Sequence, residues 1–417
     1  MTATASKSAM SKLEFVALMA ALMTADVLAI DVMLPALPQI GDALGVANPN
    51  DRSMVLTAFL IGFGLPQLIF GPIADRFGRR KIILGGLLAY CVATMVAMVA
   101  PTFAVMLFLR FLQGTAAAGI RVGMMSAVRD RYEGRAMAEV MSIVLSIFLL
   151  VPIVCPSIGQ LMLLVWPWQS IFIFMGVIAL VFGAWTLVRL PETLAPENRR
   201  ALNFAVMVDG FRVVVTNRRA FLYGIVGAFM YGIIVGMFST AQQVYVDIYE
   251  LGELFPIAFG AMALIAAIAS NIVAMIIRRF GMRRVGHTAV SIVIAVNAAW
   301  ALISLAGPPP LWLYYVAFLI SLPSIVAVFN TTGALSMEPL GEVAGTASSV
   351  FGAIGTVGGA LFGYGIQQIY NGTVLPVFVG NCALAAGALA CILLAEKGRL
   401  FARDPAPIVA APAAAII

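Results

Sequence analysis

The chain has 417 residues, of which 62% are hydrophobic and only 11% charged, and its mean hydropathy is +1.03. Soluble globular domains carry about 25% charged residues, so this composition excludes that class and points to an integral membrane protein. Lys and Arg outnumber Asp and Glu by 25 to 19, but the cations sit in short loops between apolar runs, which excludes a nucleic-acid-binding face; one histidine, with four cysteines scattered through apolar runs, excludes a multi-histidine metal site and gives no disulfide framework.

Residues 1–12 form a polar leader with Lys7 and Lys12. The apolar run behind it contains Asp26 and Asp31, which argues against a cleaved secretory signal. From there the pattern predicts twelve membrane-spanning helices, at 14–36, 54–74, 82–101, 103–127, 139–163, 168–188, 221–244, 255–277, 286–306, 311–335, 344–369 and 374–395. Of the Lys and Arg residues, Arg52 alone falls in a loop on one side, Arg110 and Arg121 lie within the fourth span, and the rest fall on the other side. The positive-inside rule then places both termini in the cytoplasm of a bacterial-type inner membrane. The expected division is an N-terminal six-helix bundle over 1–189, a cytoplasmic linker over 190–220, a C-terminal six-helix bundle over 221–396 and a cytoplasmic tail over 397–417.

The loop after the second span reads Gly71-Pro-Ile-Ala-Asp75-Arg76-Phe-Gly78-Arg79-Arg80-Lys81. It resembles the signature between the second and third helices of major facilitator superfamily transporters. The resemblance implies a latch in which Asp75 engages the N-terminal end of a helix in the other half. The surrounding cations would position it, and a helix N-terminus attracts a carboxylate.

Four ionisable residues fall inside spans: Asp26 and Asp31 in the first, Arg110 and Arg121 in the fourth. Each would cost roughly 2.5–3.5 kcal/mol at a lipid-facing helix centre, so they must face a wet cavity or one another. Arg110 and Arg121 are eleven residues apart, about three turns, and share a face with Gln113. By depth, Asp31 pairs with Arg110, while Asp26 points about 140° away from Asp31. Asp31 is therefore the expected proton carrier, with Arg110 holding its charged form and Asp26 secondary. Arg121 is expected to favour substrates bearing a carboxylate, phosphate or strong acceptor group.

Pro152 and Pro156 interrupt the fifth span. At an offset of 203 residues they fall over Gly355 and Gly359 of the eleventh, and Asp75–Arg80 recurs as Arg278–Arg283. Paired interruptions in two related halves point to a substrate site between them. The glycines of the eleventh span are assigned to the moving interface between halves. In the linker, Phe204, Met207, Val208, Phe211 and Val215 recur at helical spacing, which suits a helix lying on the membrane surface; a disordered linker is the alternative. Tyr231, Asn271, Asn330 and Gln367 are expected to line the second wall of the cavity, because an amide in hydrocarbon needs a partner or water.

Further motifs sharpen the resemblance. Ala29-Ile-Asp31-Val-Met-Leu-Pro-Ala-Leu-Pro38, Arg110-Phe-Leu-Gln113-Gly114, Pro191-Glu-Thr-Leu194 and Gly345-Thr-Ala-Ser-Ser349 are similar to motifs of drug:proton antiporters of the bicyclomycin and chloramphenicol resistance subfamily. In that subfamily the arginine of the fourth span is implicated in proton transfer. The fifth-span antiporter motif, Gly-Pro-x-x-Gly-Gly, is degraded to Cys155-Pro156-Ser-Ile-Gly159-Gln160. The resemblance implies an all-helical, monomeric major facilitator fold that exports small amphipathic organic compounds in exchange for protons. The proton gradient serves as energy source, without cofactor or metal. A proton symporter or facilitator importing a small metabolite is the alternative. A membrane-embedded enzyme would need a nucleophile or metal cluster in the membrane, which the sequence does not supply.

Overall fold

The computed structural model describes residues 10–199 and 204–401, and among these it contains fifteen α-helices and no strand. In chain order they are α1 (Lys12–Asp31), α2 (Leu37–Ala43), α3 (Met54–Gly64), α4 (Gln67–Phe77), α5 (Arg79–Ala97), α6 (Phe103–Arg131), α7 (Gly134–Leu163) and α8 (Gln169–Arg189). They continue with α9 (Phe204–Thr216), α10 (Arg218–Gln243), α11 (Phe255–Phe280), α12 (Met282–Ser304), α13 (Leu311–Met337), α14 (Ala344–Gln368) and α15 (Leu375–Ala395). An all-helical solution follows from composition, because a helix satisfies its own backbone where no water can.

Ten spans among the described residues are long and apolar enough to cross a membrane, and α3 with α4, bent by 46°, makes an eleventh. The 26-residue α11 fills the remaining place in the series, its described apolar stretch running over Gly252–Ile265. The bend between α3 and α4 falls at Pro66, which cannot donate a backbone hydrogen bond.

The internal repeat is structural. Gly78 ends α4 and precedes α5; Gly281 ends α11 and precedes α12. Both take positive φ, 98° and 85°, at the same offset of 203 residues, a conformation that favours glycine.

Within the first six-helix series, α3 and α6 meet through a reciprocal glycine pair. A Cβ on Gly62 would collide with the Phe111 carbonyl oxygen, and one on Gly114 with that of Phe59. Such small residues let two backbones approach, which is what holds helices together when both sides of the contact are apolar.

Three expectations need correction here. α7 runs unbroken through Pro152 and Pro156, and α14 through Gly355 and Gly359, so the paired breakers interrupt neither span; neighbouring helices can re-satisfy a backbone group freed by proline. The glycines of α14 also divide their work. Gly352 faces Gln67 of α4, whereas Gly359 and Gly363 pack under Tyr231 and Val235 of α10 in their own series. The linker stretch is helical as α9, but its buried face is Val214 against Ala347 and Val350 of α14, while Val208 and Phe211 stay exposed. The tail from residue 402 lies outside the described residues.

Candidate functional site

The four intramembrane charges do come together in the first series, but in a different pairing from the expected one. Arg121 Nη1 stands 2.5 Å from Asp26 Oδ2, and its guanidinium lies 5.8 Å from the Phe63 ring and 5.3 Å from that of Phe148. The Arg121 side chain is 31% exposed, so this pair is reached from open space beside it.

Arg110 is fully buried and has no carboxylate among its described partners. It donates to the carbonyls of Ala29 at 2.8 Å and Val55 at 3.2 Å, and to Gln113 Oε1, and it stacks 4.7 Å from the centre of the Phe59 ring. Gln113 passes the bonding on to Thr94 Oγ1 at 2.7 Å, which donates to the Tyr90 carbonyl. Gln113 thus belongs to the Arg110 cage and not to a substrate wall.

The depth match between Arg110 and Asp31 is right, since Arg110 touches the backbone only two residues before Asp31. The azimuth is wrong. Asp31 is 1% exposed, and its Oδ2 has no hydrogen-bond partner. At Val32, the next residue, the chain runs under α7, where a Cβ on Gly159 would strike the Val32 carbonyl. Chemically the two aspartates are therefore unlike. Asp31 can take up a proton without breaking a described bond, whereas Asp26 must release Arg121. The retained glycine of the degraded fifth-span motif makes this α1–α7 approach, and Cys155 is simply buried one turn before it.

The second-series candidates scatter. Tyr231 lies over Gly359 and joins Ile30, Leu60, Ile61, Val235 and Ala360 in one cluster, which brings it across to the last turn of α1. Asn330 is exposed on α13, and the Asn271 side chain lies outside the described residues. Gln367 is fully buried, but in the last turn of α14, where its amide meets Gln243 of α10.

The expected loop Gly71–Lys81 is helical on both sides of Gly78, with Asp75 and Arg76 in the last turn of α4 and Arg79, Arg80 and Lys81 in the first turn of α5, and this junction is held by a network that includes one unexpected residue. Arg79 pairs with Asp75 at 2.6 Å and with Asp130 at 2.9 Å, and Arg80 donates to the Leu187 carbonyl at 2.6 Å. Arg76 lies over the Phe77 ring. The carboxylate that sits on a helix N-terminus is Glu192, which accepts from the Arg79 backbone N–H at 2.8 Å and fills the space left by the missing side chain of Gly78. Pro191–Leu194 carried the signal for it as a motif without an assigned task. Loss of this cap in Glu192→Ala should lower stability by about 0.5–2 kcal/mol, read as a lower unfolding temperature of the detergent-solubilised protein; an unchanged value would contradict the capping role.

A position Cβ on Gly71 would occupy lies 4.0 Å from Ser349 Oγ of α14. One turn further along both helices lie Asp75 and Gly345, beside Ala344 at the start of α14, whose N-cap Val343 offers no side-chain hydrogen bond. Asp75 thus stands level with a helix N-terminus of the other series while bonded to Arg79. If Asp75 has the expected latch role, Asp75→Asn, in which Arg79 keeps Asp130, should remain folded while initial transport rates fall; equal rates would reject that role.

At the opposite end of the molecule the two series are clasped by amides. Asn50 donates to the Tyr370 carbonyl at 2.8 Å, Gln243 to Asn50 Oδ1 at 3.2 Å, and Gln368 to Asp51 Oδ1 at 2.9 Å. Sequence reasoning missed Asn50 and Gln243, although the Gln242-Gln243 doublet closing an apolar run was a usable signal.

Two helical series related by a fixed offset, with buried charges in one of them and polar clasps between them, define a multi-pass membrane transporter. Residues 17–363 match the family model of the Major Facilitator Superfamily, and the chain belongs to that family. It is 31% identical over 374 residues to a chloramphenicol resistance protein of Pseudomonas aeruginosa, covering 87% of this chain and 86% of that one. It is 25% identical over 363 residues to a bicyclomycin resistance protein homolog of Haemophilus influenzae, covering 85% and 89%. The fold is also that of the human organic anion transporter MFSD10, with a TM-score of 0.62 at 18% identity over 91% of this chain and 98% of that one.

Proposed function

We propose that this chain is a monomeric proton-coupled exporter of small amphipathic organic compounds, working by alternating access of two six-helix bundles, 1–189 and 221–396, joined by the linker 190–220. Its place is a bacterial-type inner membrane, with both termini and the Arg-rich α4–α5 junction in the cytoplasm and the amide clasp on the outer side. The observation that carries this reading is Asp31, a buried carboxyl with an unpartnered oxygen, one and a half turns from the Asp26–Arg121 pair.

An intramembrane carboxyl of this kind is a functional site by default, because nothing else repays its burial. Asp31 takes the proton, and the Asp26–Arg121 pair is the charged feature that a substrate meets. Because Arg121 already has a carboxylate at 2.5 Å, an acidic substrate would have to displace Asp26, which supports neutral, acceptor-bearing compounds over anions. The names of the two bacterial relatives, a chloramphenicol resistance protein and a bicyclomycin resistance protein homolog, support the same class.

The test is the direction of accumulation. In proteoliposomes with an imposed pH gradient, chloramphenicol should concentrate in the acidic compartment, since an antiporter moves substrate against the proton. Accumulation in the alkaline compartment would instead establish a symporter, and none in either would reject coupling.

A further inference from the structure

A cavity of about 190 Å³ lies at the clasped end, between the two series. Leu37, Pro38, Pro49, Arg52 and Ser53 line it from one side, and Ser239, Gln242, Gln243, Asp247 and Gln367 from the other. Three of its lining residues carry buried polar atoms without hydrogen-bond partners: Gln367 Oε1, Ser239 Oγ and Arg52 Nε. Gln367 and Ser239 are 1% and 3% exposed, and stranded groups of this kind are rare enough in a folded protein to need a cause.

The surrounding bonds hold these groups in place. Gln367 spends its amide N–H on Gln243, and Gln243 spends its own on Asn50, so the acceptor of Gln367 is left over. Arg52 gives Nη2 to Asp42 at 2.7 Å, and its stem lies across Gly41, where a Cβ would stand 2.6 Å from Cγ. The α10 chain passes into a π-helical turn over Val244–Ile248 just after Gln243, and this turn carries Asp247 into the lining. Such turns are frequent at functional sites.

Size and chemistry together define what fits. Pockets that bury a drug-sized molecule measure about 300–1,000 Å³, so this one takes a head group and not a whole compound. Its stranded groups are an acceptor on Gln367, a donor on Arg52 and a hydroxyl on Ser239, while the Asp247 carboxylate in the same lining balances the Arg52 cation, so the cavity carries no net charge to neutralise. They match a neutral head that both donates and accepts, such as an amide or a hydroxyl beside a carbonyl.

We propose that this cavity is a second, outer subsite that holds the hydrogen-bonding head of the transported compound before release, a proposal that rests on the export reading above. Its walls come from both bundles, so the subsite exists only while the outer clasp is shut. Parting of the bundles separates Gln367 and Ser239 from Arg52 and lets the head go.

The test uses the full chain with its four cysteines replaced and one introduced by Ser239→Cys, reconstituted and treated with a small membrane-impermeant thiol reagent. Chloramphenicol is the probe, since it carries an amide and hydroxyls. It should slow modification at Ser239→Cys several-fold and leave a control at Ala47→Cys, exposed at the same end, unchanged. Adding Gln367→Leu should abolish the protection. Protection that survives Gln367→Leu would mean that the probe acts from elsewhere, and the subsite would be rejected. Unprotected Ser239→Cys in a protein that still concentrates chloramphenicol would leave the cavity to water and overturn the subsite alone. Protection without concentrative transport would keep the subsite and overturn the export reading.

Discussion

Vesicles carrying Asp31→Asn should hold chloramphenicol at no more than its external concentration, whatever pH gradient is imposed. With one proton exchanged per substrate, a gradient of one pH unit sustains about tenfold accumulation, because 1.4 kcal/mol corresponds to a factor of ten. The wild-type protein should approach that ratio and the variant should fall to about one. Downhill exchange should persist, since Asn fills the space of Asp and Asp31 makes no described hydrogen bond through Oδ2 that folding would miss. An asparagine is permanently in the neutral form, so the step in which protonation biases one facing state over the other is gone. Asp26→Asn should be milder, leaving Arg121 beside a neutral partner in a partly open position. Concentrative transport that survives in Asp31→Asn and disappears in Asp26→Asn would transfer the coupling role to the aspartate that Arg121 holds.

Arg110→Ala should fail in a different way, by loss of the folded protein. The guanidinium is the shared donor for the Ala29 and Val55 carbonyls and for Gln113, in a place closed to water. Each buried acceptor left unpaired costs about 1–3 kcal/mol; the Val55 carbonyl keeps its bond within α3, but the Ala29 carbonyl and Gln113 Oε1 have no other described donor, so these two remove about 2–6 kcal/mol from a stability that totals only about 5–15 kcal/mol. A lysine is not a substitute, because its compact ammonium cannot reproduce the planar fork that spans α1, α3 and α6. The expected results are low yield and a large drop in unfolding temperature for Arg110→Ala, and a smaller drop for Arg110→Lys. A fully stable Arg110→Ala that merely loses transport would show that this arginine is a proton-handling group and not the knot of the bundle.

The contrast between these two residues shows how far the amino-acid pattern reached. Span positions and the 203-residue repeat were legible because hydropathy and the glycine-bounded loops at Gly78 and Gly281 are local properties. The depth of Asp31 and Arg110 was legible too, because helices advance by a fixed rise per residue. Which way Asp31 faces was not. Azimuth depends on how α1 is turned against α6 and α7, and that is set by contacts such as Gly159 under Val32, which no single helix encodes. The same limit misplaced Gln113, whose amide serves the Arg110 guanidinium. An amide in an apolar span announces that it has a partner, without saying whether the partner is a ligand, an arginine or another amide.

The Glu192 cap has a mechanical side. The segment leaving α8 is fastened back onto the first turn of α5, so the tether between the bundles starts after Leu194 and not at the end of α8. Extra residues spliced in after Leu194 only lengthen a leash, and loop length is thermodynamically forgiving. The same residues spliced in between Leu190 and Pro191 would drag a carboxylate off a helix end. Two insertion points a few residues apart thus separate slack from strain, and the freedom of the bundles to rock is portioned out by the shorter stretch.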